Sequence, residues 1–213
     1  IATNDYTMLT FGAALIGRVR KQAPMVTIQF TDFTNDCVER VHQGELDFMM
    51  IPRNLISFCY DYFEYLPLFD DDFVCIVQRD RSIGPVISKD DLKNLPHSVY
   101  VSRGVKLNSA AIAALRSQAI EASFEIQVSN SLILPFIVEK TDTICVCYRK
   151  LAQALQDITK IKIVELPFPS PKLEMVAIWD RSVRGDPLHA WLRSQMTQMA
   201  EELYPRPDGA TRT

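Results

Sequence analysis

Apolar and polar positions along this chain alternate with two different periods, and the switch between them predicts strands and helices in turn. Residues 1–3 look like the end of a strand, and apolar side chains then recur at helical spacing from Leu9 to Val19. Pro24 ends that helix, and residues 26–33 alternate as a strand. Because the same succession continues along the chain, we predict an α/β fold with parallel sheets.

Local signals place the other elements. Asn4 or Asp5 is able to cap the first helix, Gly44 caps the end of the second, and the SKDDL run from Ser88 is a capping pattern that begins a short helix. Further helices are predicted at 34–43, 108–122, 131–139, 150–156 and 187–203, and strands at 46–51, 63–69, 73–78, 98–102, 124–128, 143–147, 162–166 and 173–179.

Two breaks divide this series of elements. Asp70, Asp71 and Asp72 form a charged break between two apolar runs, and the proline cluster PFPSP at 167–171 is typical of a hinge. If the chain passes between lobes at both places, the middle of the chain is an inserted lobe. We therefore predict a hinged clamshell of two Rossmann-like lobes joined by two crossover segments, with lobe I at 1–71 and 170–213 and lobe II at 72–169.

Composition narrows the classes of protein. The chain has 213 residues, 47% of them apolar, which is enough for substantial cores. Its net charge is −3, so the chain lacks the excess of basic residues that an autonomous nucleic-acid binder needs. The five cysteines lie mostly in apolar runs, which predicts buried free thiols in a reducing compartment. No apolar run reaches the ~20 residues of a membrane span, and the start lacks a signal-peptide pattern, so we expect a cytoplasmic protein without membrane contact.

Motifs for catalysis are missing from the sequence. His42, His97 and His189 are far apart and none has a zinc-site spacing, and Cys145 and Cys147 share a strand face without a CxxC pattern. GxSxG, GxGxxG and P-loop runs do not occur. The acidic triplet 70–72 favours a solvated turn or a dimer contact over a metal site. We therefore predict no enzyme, no cofactor and no metal.

A binding site is predicted instead where strands end and helices begin, because ligands of open α/β sheets lie outside the carboxyl ends of the strands. Three such turns carry suitable side chains: Asn4, Tyr6 and Thr7 in TNDYT, Ser102 and Arg103 in VSRG, and Ser129, Asn130 and Ser131 in VSNS. Other interpretations remain open, since Asp5 suits a plain N-cap and Arg103 a solvated surface position. Capping explains one residue of the VSNS cluster, but not three.

Several runs in a fixed order carry a resemblance to a known family. GELDFMMIP, PLFDDDFVCIVQRD, ISKDDLKNLPHSVYV and TDTICVCYRKLA resemble the effector-binding domain of LysR-type transcriptional regulators over nearly the whole chain. The pattern TD-x-I-x-x-x-x-R-x-LA and the ending PFPSPKLEMVAIWDRSVRGDPLHAWLR are most similar to the nodulation and the salicylate and nitrotoluene regulators. The resemblance implies a periplasmic-binding-protein-like fold, and places the family's winged helix-turn-helix outside this chain.

The resemblance also implies where an inducer binds. All three turns would face the interlobe cleft, with Ile51, Pro52 and Arg53 as another wall and with Tyr148 and Phe168 stacked on a small, aromatic inducer. Phe168 equally suits a core position near the hinge. Asn4 stands where salicylate-type regulators carry a serine, and Asp71 where they carry a histidine. A carboxylate at this position disfavours anionic ligands, so we expect a neutral or phenolic inducer.

In the resembled family these domains pair side by side and antiparallel, which implies a homodimer or homotetramer with the helices at 7–21 and 108–122 as the dimer face. The inducer would rearrange the oligomer and thereby control transcription, with DNA bound only through the N-terminal domain. The alternative is a stand-alone solute-binding protein of the periplasmic type. An enzyme on the same fold would need a covalent cofactor or a catalytic base, and the sequence identifies neither.

Overall fold

The chain folds into two compact units. A computed structural model describes residues 1–55, 61–101 and 110–205. Unit 1 comprises Ile1–Asp70 and Leu173–Thr213, and unit 2 comprises Asp71–Lys172. The chain therefore passes from unit 1 to unit 2 after Asp70 and returns after Lys172.

Strands and helices alternate through the described residues, as the sequence pattern predicts. The strands are β1 (Ala2–Thr3), β2 (Thr31–Asp32), β3 (Met49–Pro52), β4 (Phe63–Asp71), β5 (Phe73–Gln78), β6 (Pro96–Tyr100), β7 (Ser123–Val128), β8 (Cys145–Tyr148), β9 (Ile161–Val164) and β10 (Leu173–Asp180). The α-helices are α1 (Asp5–Thr7), α2 (Ala13–Gln22), α3 (Cys37–His42), α4 (Lys89–Asn94), α5 (Ala110–Ser117), α6 (Leu134–Lys140), α7 (Arg149–Leu155) and α8 (Pro187–Leu203). Short 3₁₀ helices lie at Arg53–Leu55 and Arg181–Gly185.

A π-helical segment, Met8–Gly12, joins α1 to α2. The Ala13 N–H donates to the Met8 carbonyl, one residue further back than in an α-helix. A Cβ on Gly12 would lie 2.6 Å from the Met8 sulfur, so the glycine leaves room for the Met8 side chain. The hydroxyl of Tyr204, just beyond α8, donates to the Thr10 carbonyl at 2.7 Å and ties the segment to the end of the chain's last helix.

Short-range capping fixes where several helices begin and end. The Ser88 hydroxyl accepts a hydrogen bond from the Asp91 N–H at 2.9 Å, which confirms the capping pattern of SKDDL. At the start of α8, the Asp186 carboxylate accepts from the His189 N–H at 2.7 Å. Gly44 follows α3 with a φ of +74°, the left-handed conformation expected of a glycine beyond a helix end.

The two units repeat one strand order. In unit 1 the sheet runs β2-β1-β3-β10-β4, with β1 parallel to β2 and β3, and β10 antiparallel to β3. In unit 2, β6 pairs parallel with β7, and β5 pairs antiparallel with β8 and β9. A parallel bridge from His97 to Ile144 places β6 beside β8, so the order is β7-β6-β8-β5-β9. In each sheet, the antiparallel strand, which is β10 in unit 1 and β5 in unit 2, lies between a parallel strand and an edge strand.

Apolar side chains from strands and helices fill each unit. One core cluster of unit 1 joins Cys37 and Val41 of α3 to Met49 and Ile51 of β3 and Val176 of β10. In unit 2 the buried positions include Val74, Ile76, Leu92, Leu115 and Leu151. The described cysteines, Cys37, Cys75, Cys145 and Cys147, are buried free thiols, as predicted, and Cys59 lies outside the described residues. Burial raises the pKa of the Cys75 thiol, which keeps it protonated and inert.

Several predicted boundaries are wrong. The strand predicted at 26–33 shrinks to Thr31–Asp32, because β2 lies at the sheet edge beside a β1 of only two residues. The helix predicted at 34–43 begins at Cys37, and the helix predicted at 108–122 ends at Ser117 because Ala119 adopts a left-handed φ of 56°. Its predicted start, Asn108, lies outside the described residues. β4 extends to Asp71, so Asp72 alone separates it from β5.

Candidate functional site

The carboxyl ends of β1 and β3 meet at one edge of the unit 1 sheet, because both strands are parallel and adjacent. Asn4 follows β1 directly, and Arg53 follows β3. The Thr3 hydroxyl donates to the Met50 carbonyl at 2.9 Å and holds the two strand ends together. The structure thus brings the TNDYT turn and residues 51–53 to the same edge.

Asn4 is the N-cap of the first helix. Its side-chain oxygen accepts from the Thr7 N–H and from the Thr7 hydroxyl, each at 2.9 Å. Within the described part of the chain, no hydrogen bond occupies the Asn4 amide nitrogen. Asn4 is half-buried, so its two N–H groups remain as donors at this edge.

Tyr6 and Thr7 lie inside unit 1. Their exposed fractions are 1% and 0%, and the Tyr6 ring meets the Phe69 ring edge-on with centroids 6.2 Å apart. Both side chains were predicted to contact an inducer. In this structure they support the turn from within, and Asn4 is the member of the trio that reaches the surface.

Ile51 and Pro52 are buried, and Arg53 beyond them is engaged on two sides. Its guanidinium donates to the Glu174 carboxylate at 2.9 Å and lies 4.5 Å from the centre of the Tyr65 ring. The positive charge of Arg53 is therefore balanced by a carboxylate and an aromatic face.

In unit 2 the parallel strands β6, β7 and β8 end at a common edge. Ser129, Asn130 and Ser131 follow β7, and Tyr148 is the last residue of β8. The predicted site residues Ser102 and Arg103, which follow β6, lie outside the described residues. The structure thus brings the VSNS cluster and Tyr148 to one edge of this unit.

The VSNS cluster is not a helix start, which corrects the predicted helix at 131–139. α6 begins at Leu134, with Ile133 as its N-cap. The Asn130 side-chain oxygen instead accepts from the Leu132 N–H at 3.0 Å and closes a short turn. Ser129 and Asn130 are exposed, whereas Ser131 is buried with 4% exposure.

The aromatic residues proposed to stack have different surroundings. The Tyr148 ring is half-buried and stacks on Phe73 with centroids 5.1 Å apart and an interplanar angle of 23°. Phe168 is half-buried in the segment that leads back to unit 1. Tyr148 is therefore a preorganised aromatic surface beside the end of β8.

Asp71 occupies a structural position at the start of α7. Its side chain is buried with 5% exposure, and its carboxylate accepts from the Lys150 N–H at 3.2 and 3.4 Å and from the Asp72 N–H at 2.8 Å. The expectation of a carboxylate turned toward an inducer does not match this placement. Its negative charge faces backbone donors of a helix start instead.

Arg149 is the residue here that the sequence interpretation missed. Its Nε donates to the Asp72 carboxylate at 2.6 Å, and its two terminal nitrogens donate to both oxygens of Glu165 at 2.7 and 2.8 Å. These bonds hold the pKa of the Glu165 carboxyl below its usual value. The arginine of the TD-x-I-x-x-x-x-R-x-LA pattern was the available signal, but no spacing rule names its partners.

The histidines have structural roles. The buried His97 ring bonds to the Leu92 carbonyl through Nε2 at 2.8 Å, and His189 stacks on Phe48 with centroids 4.0 Å apart. His42 Nδ1 lies 2.7 Å from the Asp180 carboxylate. Across the described ranges, no group of three or more potential metal ligands comes together. Over those same residues, no helix combines the length and apolar character needed to cross a bilayer.

Comparison with known proteins agrees with this architecture. The family model "LysR substrate binding domain" matches residues 1–201. Nodulation protein D 3 of Mesorhizobium japonicum is 24% identical over 95% of this chain and 67% of its own length. Nodulation protein D 1 of Sinorhizobium fredii is 25% identical over 95% of this chain and 62% of its own length. The chain thus spans about two thirds of the length of these relatives.

Solved structures show the same fold. A probable transcriptional regulator from Pseudomonas aeruginosa matches with a TM-score of 0.80 at 20% identity, covering 92% of this chain and 64% of that one. The regulatory domain of MexT, a transcriptional activator in the same organism, matches with a TM-score of 0.76 at 17% identity over 93% and 95% of the two chains. The effector-binding domain of QuiR, solved with shikimate, gives 0.72 at 11% identity over 95% and 96%. The predicted two-lobe fold and the predicted family are confirmed, and this chain belongs to the LysR substrate-binding domain family.

Proposed function

We propose that this chain senses a small, neutral aromatic inducer for a LysR-type transcriptional regulator, and that the inducer binds in the interlobe cleft against the carboxyl-terminal strand edges of both units. The observation that carries the proposal is the chemistry of those edges. Asn4 offers amide donors in unit 1, and Ser129, Asn130 and Tyr148 offer hydroxyl, amide and ring surfaces in unit 2. These groups suit a ligand with an aromatic ring and several hydroxyl groups.

Charge pairing favours a neutral ligand over a carboxylate. Arg53 is paired with Glu174, and Arg149 is paired with Asp72 and Glu165. An anionic ligand at either arginine would have to displace a carboxylate that is already hydrogen-bonded. Among the described residues at the two edges, the candidate contact groups Asn4, Ser129 and Asn130 are uncharged.

Relatives support a small-molecule role at this fold. The effector-binding domain of QuiR was solved with shikimate, a small hydroxylated ring carboxylate. The matched nodulation proteins are identical to this chain at about a quarter of the aligned positions. Ligand identity does not transfer at these identities, so the neutral aromatic class rests on the side chains of this chain.

The rest of the proposal concerns the whole protein. We propose a cytoplasmic homodimer or homotetramer in which the first helix and α5 pair between subunits, and DNA contact through a domain outside this chain. Leu9 is 36% exposed and suits such a face, whereas Ile112 is 8% exposed and packs inside unit 2. A Leu9→Asp variant and an Ala113→Asp variant, both at surface positions, should therefore weaken association without unfolding the domain. Sedimentation velocity tests this, and unchanged association would contradict the proposed dimer face.

The experiment that tests the sensing function is a thermal-shift panel of flavonoids, nitro- and chlorophenols, salicylates, sugars and amino acids. A ligand at 100 times its dissociation constant adds about 2.7 kcal/mol to the free energy of unfolding. We expect stabilisation by one neutral aromatic class and its loss in Asn130→Ala. Stabilisation by sugars or amino acids alone would favour a stand-alone solute-binding protein instead.

A further inference from the structure

Arg149 lies between the two segments that connect the units. The first crossover segment, 70–73, enters unit 2, and the second crossover segment, 165–172, leaves it. Arg149 Nε bonds to Asp72 of the first segment at 2.6 Å, and its terminal nitrogens form a two-bond fork with Glu165 of the second. The Arg149 side chain therefore binds Asp72 of the first crossover segment and Glu165 of the second, although these two residues are far apart in sequence.

Backbone hydrogen bonds reinforce this arrangement. The Arg149 N–H donates to the Asp72 carbonyl at 2.9 Å, and the Phe73 N–H donates to the Ser170 hydroxyl at 2.6 Å. The second bond joins the two crossover segments directly. The Asp71 carboxylate also accepts a hydrogen bond from the Lys150 N–H. Every one of these groups lies within unit 2, so the first segment is bonded to unit 2 at residues 71–73 and the second at Glu165 and Ser170.

The geometry requires an arginine. A guanidinium presents five donors in a rigid plane, which satisfies the Asp72 oxygen and both Glu165 oxygens at once. A lysine would supply the charge but not the paired fork. The Arg149 side chain is 27% exposed, so the network is partly shielded from solvent.

We propose that Arg149 is a positioning residue that fixes both crossover segments to unit 2 and thereby confines bending between the units to the bonds next to unit 1, at Asp70–Asp71 and at 171–173. Arg149 directly follows Tyr148, whose ring stacks on Phe73 of the first crossover. A ligand that displaces the Tyr148 ring would move the start of α7, and with it both crossovers. This last step rests on the proposed function, whereas the fixing of the crossovers does not.

Hydrogen–deuterium exchange of the ligand-free chain tests the inference. In Arg149→Met, the backbone amides of Phe73 and of the second crossover segment should exchange roughly ten-fold faster than in the wild type. The reason is that hydrogen bonds to charged groups contribute about 1.5 kcal/mol or more to stability. Arg53→Met is the matched control, because it removes an Arg–Glu pair within unit 1 and should leave the crossover amides unchanged. Glu165→Ala should accelerate exchange in the second crossover more than in the first.

A distance measurement completes the test. Spin labels on cysteines introduced at the exposed positions Lys21 in unit 1 and Asp157 in unit 2 should give a broader distance distribution in Arg149→Met than in Arg53→Met. If Arg149→Met does not fold, Arg149→Lys keeps the charge and provides the same comparison. Unchanged crossover exchange, or acceleration spread evenly over unit 2, would overturn the inference. Because no ligand is used, such a failure would leave the proposed sensing function untouched.

Discussion

Two strand-to-helix turns, one in each unit, solve the same problem in different ways. After β1, the first helix is capped by Asn4, whose oxygen accepts from Thr7 only three residues later. After β8, the N-cap residue of α7, Tyr148, makes no capping hydrogen bond through its side chain. The Lys150 N–H instead donates to the Asp71 carboxylate, which lies 79 residues earlier. The unit 1 turn is therefore self-contained. The unit 2 turn is completed by the segment that enters from unit 1.

Because of this difference, substitutions in the two turns should differ in how far their effects extend. A change at Asn4 is expected to alter the local turn and the ligand edge beside it. A change at Asp71 alters a helix start and a crossover together, because one buried carboxylate serves both. Coupling between binding and bending is therefore expected to depend more on the unit 2 turn than on the unit 1 turn.

The largest expected effect is at Asp71. Asp71→Ala removes a buried acceptor from the Lys150 and Asp72 N–H groups and should lower the free energy of unfolding by about 2 kcal/mol. Urea denaturation measures the change. Asp157→Asn, at an exposed position in the same unit, is the control and should be within about 0.5 kcal/mol of the wild type. A loss no greater than that of the control would mean that α7 does not depend on the distant carboxylate.

The next effect in size is at Asn4. Asn4→Ala should cost about 1 kcal/mol, because the Thr7 N–H loses its cap, while Asn4→Asp should retain most of the stability. The same denaturation assay applies. If Asn4→Ala cost as much as Asp71→Ala, the contrast between a local and a distant cap would fail.

The smallest effect is a pH slope with one contribution from each unit. Burial, the main cause, lowers the pKa of His97 in unit 2 and of His189 in unit 1, so both rings are neutral when folded. The unfolded chain then binds more protons, and stability present at neutral pH is lost as the pH falls below about 6.5. Unfolding measured at several pH values should show a shallower slope in His189→Gln. A slope unchanged by this substitution would contradict a neutral buried His189.

The same contrast explains how much the sequence predicts. Caps within three residues can be predicted, as at Ser88 and Asn4, because both partners lie in one short run. The order of strands and helices and the bounds of α8 follow from periodicity together with local proline, glycine and capping signals. Contacts between residues that are far apart in sequence cannot be predicted in this way. No rule on spacing pairs Arg149 with Asp72, 77 residues away.

The candidate site shows the same division. Sequence reasoning placed Asn4, Asn130 and Tyr148 after strands, and parallel pairing brings such residues to common edges. It also assigned Tyr6 and Thr7 to the ligand, although their side chains turn inward against Phe69 and Asn4. Side-chain direction at a helix start depends on the packing of the unit, including the π-helical segment Met8–Gly12, which local patterns do not encode.

In the proposed function, the two edges select a neutral aromatic inducer through Tyr148 and uncharged polar groups. The most direct measurement is calorimetric titration of this chain with the flavonoid naringenin and with salicylate, in the wild type and in Tyr148→Ala. We predict saturable naringenin binding that Tyr148→Ala weakens about ten-fold, in keeping with the loss of an aromatic contact, and no comparable binding of salicylate. Tighter binding of salicylate, or naringenin affinity indifferent to Tyr148, would contradict the claim.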